Sequence, residues 1–433
     1  MLALLVVSAL TLAFKIESIS ADDGTIYINA DGSINPSTAP IYTADNITYT
    51  LTGNFTADAD AIVIERNNIV LDGAGYTLTG SGRWSGITLT NISGVTVRNM
   101  TIENFDFGID LESSSNCTFS GNTVVNNFEG INVSSSSNCT LLGNNVTANN
   151  DLGIYLIDFS NDNSLVSNEV DGNYRGIELH DSMNNNMFQN QIENIWFDIR
   201  FLRSDNNTIC ENDIGYSADG IWLDASSGNL IYHNLCISLV ASSVPSNYTN
   251  SWDGGYPSGG NYWSGYNGTD LYSGPYQNVT GSDGIGDTPY VINANNTDYY
   301  PLMGMFSDFN VAQGVDVQVV SNSTVSDFQF NGTALQFNVT GENGTTGFCR
   351  VCFPTALING TLKVFVNGTQ MCYSLLPSSN SNMTCLYLTY NHSTERVVIL
   401  PEFPSALVLL LSMIATLLAI IIYKKKAVKV SKS

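Results

Sequence analysis

Asp110, Tyr155, Glu178, Arg200 and Trp222 are separated by one or two steps of 22–23 residues, and Glu112, His180 and Asp224 follow two places behind Asp110, Glu178 and Trp222. Aromatic rings beside carboxylates and an arginine suit a sugar polymer: ring faces stack on pyranose faces, and carboxylates accept hydrogen bonds from hydroxyls. The same set also reads as a solvated outer face with scattered aromatics. Hydrolysis needs two carboxylates flanking the bond, about 5–5.5 Å or 6.5–9.5 Å apart. Glu178 and Asp224, two steps apart, are the pair nearest the longer separation.

A second group of oxygens lies in Asp283-Gly284-Ile285-Gly286-Asp287, where glycines permit a tight loop with carbonyls turned inward. It could hold calcium through Asp283 and Asp287, or simply form a glycine turn. A fuller calcium loop would carry an acid where Gly281 stands. Of the eight cysteines, Cys117 and Cys139 occupy one column of the repeat, within bridging reach or as buried thiols. Cys349, Cys352, Cys372 and Cys385 allow three pairings. Disulfides are expected over zinc there, since the second pair is spaced too widely for the common motif.

These residues must be positioned by the repeat itself. Copies begin at Gly86, Gly108, Gly130, Gly153, Gly176, Asp198 and Gly220, with spacings of 22, 22, 23, 23, 22 and 22, and a less regular copy starts at Ala61. Apolar residues alternate in short bursts broken by Asn, Ser and Gly, the pattern of strand–turn–strand. Aligned, they form columns headed by Ile87, Leu89, Val97 and Ile102. No copy can bury such residues alone, whereas rungs stacked about 4.8 Å apart share one core. A column of asparagines (Asn122, Asn144, Asn168, Asn190, Asn212, Asn234) is expected to bond its equivalents above and below. The predicted fold is a right-handed parallel β-helix of at least eight rungs over 61–240, capped by 22–60 and closed by an aromatic, Gly-rich segment at 241–306. Short alternating runs with Asn-Gly turns over 307–400 predict an Ig-like β-sandwich.

The net charge is 15 − 39 = −24, with only 12% charged and 43% hydrophobic residues. That excludes an acidic disordered tail and leaves no basic stripe for nucleic acid. Leu2–Phe14 followed by Ser18, Ser20 and Ala21 resembles a secretory signal over 1–21. Ala406–Ile422 is uncharged and long enough to span a bilayer within 401–423, and the lysines from Lys424 predict a cytoplasmic tail at 424–433. Asn-X-Ser/Thr triplets occur at 13 positions from Asn46 to Asn295 and at eight of the ten asparagines in 307–400, as in a surface glycoprotein.

The repeat G-I-x-L-x-x-S-x-x-N…N-x-[IV] resembles the β-helix of NosD-like proteins, and equally the wider group of carbohydrate-binding proteins and sugar hydrolases. Gly260-Asn261-Tyr262-Trp263-Ser264, Asp283–Tyr290 and Tyr300-Pro301-Leu302 match the closing block of archaeal NosD-like helices, so the resemblance covers about 60–305. It implies copper. The compact set of soft ligands is His180, Met183 and Met187, while His233 and His392 are isolated in sequence; a turn packed with Met is the alternative account. The motifs of polygalacturonases and pectate lyases are not found. Pro401-Glu402-Phe403-Pro404, an apolar span and lysines resemble archaeal PEF-CTERM sorting tails, which implies cleavage and transfer to a surface anchor; a permanent membrane helix is the alternative. The expected function is a surface-anchored protein binding polysaccharide or glycoprotein, with a glycoside hydrolase or lyase on the same face, and a copper-handling protein, as the alternatives.

Overall fold

The computed structural model describes residues 24–237, 240–245 and 247–402. The signal-like segment, the span Ala406–Ile422, the basic tail and the Phe403-Pro404 half of the sorting motif lie outside the described residues. No helix long and apolar enough to cross a membrane occurs among the described residues.

Two compact units are present: one comprises the chain to Asn267 with Pro289–Pro301, the other Gly268–Thr288 with the chain from Leu302. The first is a right-handed parallel β-helix with three long sheets. Its first sheet stacks strands including Phe107–Glu112, Glu129–Ser134, Leu152–Ile157, Arg175–His180, Phe197–Leu202 and Asp219–Asp224 in parallel register. The second and third sheets are built from three-residue strands such as Ser164–Val166 and Glu169–Asp171. All four apolar columns point inward: Ile177, Leu179, Met187 and Ile192 of one rung are at most 1% exposed. Gly153 opens its rung because a Cβ there would come within 2.7 Å of Val170 Cγ1 at the corner.

The expected asparagine column is a continuous ladder. Asn168 Oδ1 accepts both the backbone N–H and Nδ2 of Asn144, each at 3.0 Å, and its own Nδ2 donates to Leu141 O (2.8 Å) and Asn190 Oδ1 (2.9 Å). Every valence of the buried amide is used, which is the condition for tolerating it in a core. Two more asparagine ladders (Asn127–Asn149–Asn173–Asn194 and Asn163–Asn185–Asn207–Asn229–Asn250) and a serine ladder (Ser114 to Ser226) hold the other corners. Cys117 and Cys139 stand at the head of the column that begins with Asn163: Cys139 N–H donates to Asn163 Oδ1 at 2.8 Å. They are buried free thiols, not a bridge.

Each asparagine ladder ends on a capping group. Asn194 N–H donates to Asp198 Oδ1 (2.8 Å), so the acid that replaces the rung-opening glycine turns inward and stands in for the next asparagine. Asn234 leads to Asn261, whose N–H donates to Asp298 Oδ2 (2.8 Å), and Trp263 Nε1 donates to the same oxygen (2.8 Å).

Burial pushes the Asp298 carboxyl up to about 7 from an ordinary 3.8. The folded protein therefore holds this proton where the unfolded chain has released it, and stability falls as pH rises from about 4 to about 7. Glu129 and Asp270, also raised to about 7 chiefly by burial, act in the same direction. The melting temperature should be higher at pH 5 than at pH 8, measured by calorimetry; a flat or rising profile would contradict this assignment.

In the second unit, Met305–Ala312, Val315–Ser321, Thr346–Pro354, Met383–Asn391 and Ser374–Leu375 form one antiparallel sheet, and Thr324–Phe330, Leu335–Thr340, Thr394–Pro401, Leu362–Val366 and Thr369–Met371 form the other. Inward residues of both, among them Val319, Val351, Phe337 and Val397, share one core. Cys352 and Cys385 face each other across neighbouring strands and form a disulfide, while Cys349 and Cys372 are free, so only one bridge of the expected two is made among these four cysteines.

Candidate functional site

The outward column of the first sheet runs Thr88, Asp110, Asn132, Tyr155, Glu178, Arg200, Trp222 in unbroken register. The stripe expected from the spacing is therefore one physical row, with Glu112, His180 and Asp224 in the next outward column. At its centre Glu178 is only 3% exposed. Its two oxygens accept from Arg175 Nη1 (2.9 Å) and Arg200 Nη1 (3.3 Å). Arg175 also grips Asp151 bidentately, at 2.7 and 2.5 Å. Glu178 thus orients two guanidinium groups, a pairing that fixes planar donors on the outer face.

Arg200 lies 5.4 Å from the Trp222 ring centre and 5.7 Å from that of Phe197. Trp196 packs edge-on to Trp222 at 6.5 Å and stands 5.6 Å from Tyr174. One rung below Glu178, Tyr155 places its hydroxyl 3.4 Å from His180 Nδ1, and burial with the nearby Glu178 charge pushes the phenol up to about 12. Arg203 bonds Asp181 through two 2.8 Å contacts and touches His180. Asp110 accepts from Asn132 Nδ2 at 2.9 Å, and burial raises its carboxyl. Glu129, on the same face, is raised to about 7 by burial and then by the Asp151 charge.

The aromatic edge was not anticipated from the sequence. Trp84, Phe128, Tyr174 and Trp196 occupy the turn two residues before the rung opening, and all are 40–55% exposed. They were legible as a column, spaced by whole repeats. A second signal was also available: eleven asparagines lie between 146 and 205, and none is in a glycosylation triplet. Elsewhere the triplet asparagines are exposed or half-buried and never buried, whereas the ladder asparagines lack the triplet. The band carrying Tyr155, Arg175, Glu178 and Arg200 is thus free of acceptors.

The soft ligands expected for copper separate, whereas Asp283 and Asp287 both lie near Asp270. Met187 is buried in the second-sheet column, while His180 faces outward from the first sheet, so His180, Met183 and Met187 do not converge on a copper ion. Asp283 accepts N–H bonds from Ile285 (3.1 Å) and Gly274 (3.3 Å), and Asp287 from Leu271 (2.9 Å) and Tyr272 (3.0 Å). Asp270, unforeseen, accepts from Asp283 and Gly284 at 2.9 and 2.8 Å. These carboxylates fasten a loop to itself. Among the described residues, three or more His, Cys, Asp or Glu ligand atoms approach within 4.8 Å of one another at Cys210, Glu211 and His233.

Residues 79–212 and 197–268 match the family described as periplasmic copper-binding protein, NosD. The solenoid is NosD-like. Solved β-helices similar to this NosD-like chain include the Dettilon tailspike protein (13% identity, 82% of this chain and 84% of that one, TM-score 0.36). Others are the A-module of a mannuronan C-5 epimerase from Azotobacter vinelandii (16%, 48% and 78%, TM-score 0.32) and PfbA, a surface adhesin of Streptococcus pneumoniae (12%, 59% and 77%, TM-score 0.32). No curated protein sequence matches the chain.

Proposed function

We propose that the NosD-like solenoid is a cell-surface module that binds an extended polysaccharide, or the glycan of a surface glycoprotein, along the outer face of its first sheet. The observation that carries this reading is the aromatic and guanidinium band on consecutive rungs: Tyr174, Trp196 and Trp222 offer ring faces, and Arg175 and Arg200 offer donors already held in place by Glu178. A flat repeating face suits a repeating ligand, because successive rungs present equivalent contacts to successive sugars. The lack of glycosylation triplets across 146–205 supports it, since the rungs of Tyr155, Glu178 and Arg200 would carry no glycan of their own; the triplet asparagine Asn132, one rung below Tyr155 in the same row, bounds the open stretch. The Ala406–Ile422 span would hold the module at the membrane, or be removed after sorting.

A hydrolase or lyase reading is favoured by one observation, the Glu129 carboxyl raised to about 7, which suits a general acid at neutral pH. Glu178, committed to two arginines, serves binding better than proton transfer, and Asp224 lies two rungs from it. Copper handling, implied by the NosD description, gains nothing from His180, Met183 and Met187. The intact chain should retain polysaccharides on a glycan array without releasing sugars. Release abolished by Glu129→Gln would transfer the conclusion to the enzyme, and neither retention nor release would refute both readings.

A further inference from the structure

We propose that Cys210, Glu211 and His233 form a binding site for one thiophilic transition-metal ion, zinc or copper, on the turn between the second and third sheets. The sugar face plays no part in this. Thr208–Cys210 stacks on Leu230–Tyr232 in register, so the residues that follow, Glu211 and His233, stack as well. Both have left-handed backbones (φ 58° and 60°), as does Gln189 one rung below (φ 54°). The shared turn conformation directs three successive side chains to one place on the wall.

The Cys210 sulfur, one Glu211 oxygen and one His233 ring nitrogen lie within 4.8 Å of one another. Cys210 Sγ stands 4.0 Å from Glu211 Oε1. Zinc bonds of about 2.0–2.3 Å in tetrahedral geometry would place ligand atoms about 3.5 Å apart, so small side-chain rotations close the set. Thiolate, imidazole and carboxylate together select zinc or copper over calcium or magnesium, which take oxygen alone.

Each outer ligand is also held from behind. Gln189 Nε2 donates to Glu211 Oε2 at 3.1 Å, leaving Oε1 on the side of the thiol. His233 Nε2 lies 3.1 Å from the Ser258 carbonyl oxygen and 3.0 Å from the Ser258 hydroxyl; the carbonyl can only accept, which favours the proton on Nε2 and leaves the lone pair on Nδ1. A carbonyl behind the imidazole is the usual support of a metal-bound histidine. Cys210 and His233 are buried and Glu211 half-buried, so an ion would enter past the carboxylate and keep a fourth position for solvent.

The test uses the intact, metal-free chain titrated with cobalt(II), zinc and copper(I), read by elemental analysis and by thiolate-to-cobalt charge-transfer absorption. One equivalent should bind with that band; Cys210→Ser should abolish the band, and Glu211→Gln and His233→Gln should each weaken binding at least tenfold with an unchanged circular dichroism spectrum. Competition between zinc and copper(I) then names the ion. Absence of stoichiometric binding overturns the proposal. So does an undiminished band in Cys210→Ser, or, should that variant not fold, wild-type affinity in both Glu211→Gln and His233→Gln.

Discussion

Replacing Asn168 by alanine should destabilise the solenoid by about 4 kcal/mol. The residue is buried, and its amide receives the N–H and Nδ2 of Asn144 while donating to Leu141 O and Asn190 Oδ1. Alanine would leave two buried donors of Asn144 without an acceptor. Each orphaned group costs about 1–3 kcal/mol. Asn186, exposed on the outer side of the next rung, supplies the control: its alanine variant should lie within about 0.5 kcal/mol of wild type. Denaturant unfolding of both measures the difference. A loss at Asn168 no larger than at Asn186 would mean that the ladders merely decorate corners that the apolar columns already hold.

Arg175→Met should cost about 3 kcal/mol. It removes the group that pairs with both Asp151 and the nearly buried Glu178, and Arg200 alone, at 3.3 Å, holds one oxygen of Glu178. The penalty comes from the stranded charge more than from the lost attraction, so the double variant Arg175→Met/Glu178→Met should be more stable than Arg175→Met itself. A double variant less stable than the single one would show that the pair contributes net stability and that the face is not held at an energetic cost. Glycan affinity should fall in both, because both lose the oriented guanidinium.

The solenoid was legible because its burial rule is periodic: the columns through Ile87, Leu89, Val97 and Ile102 recur every rung and all point inward. One asparagine ladder followed from the same period. The ladder from Asn127 was harder, since its steps of 22, 24 and 21 residues absorb insertions at the turns, and it ends on Asp198, where the rung opening is no longer glycine. The ladder from Asn163 was masked because Cys117 and Cys139 occupy its first two places. The outward stripe was legible as positions, but not as chemistry. That Glu178 is clamped between Arg175 and Arg200 depends on side-chain reach across rungs, which spacing does not encode. His233 was isolated only along the chain; one repeat step joins it to Glu211. Asp270 and the Cys352–Cys385 bridge depend on loop closure and strand register in the second unit, for which the sequence carries no repeating ruler.

The most direct test of the sugar-binding face is titration of the intact chain, wild type and Tyr155→Ala/Trp222→Ala, with a polysaccharide retained on the array. Loss of two stacking rings at about 1–2 kcal/mol each predicts an affinity at least tenfold lower in the double variant, with the circular dichroism spectrum of the folded chain retained. Equal affinity in a folded double variant would place the ligand elsewhere and return the face to ordinary solvated surface.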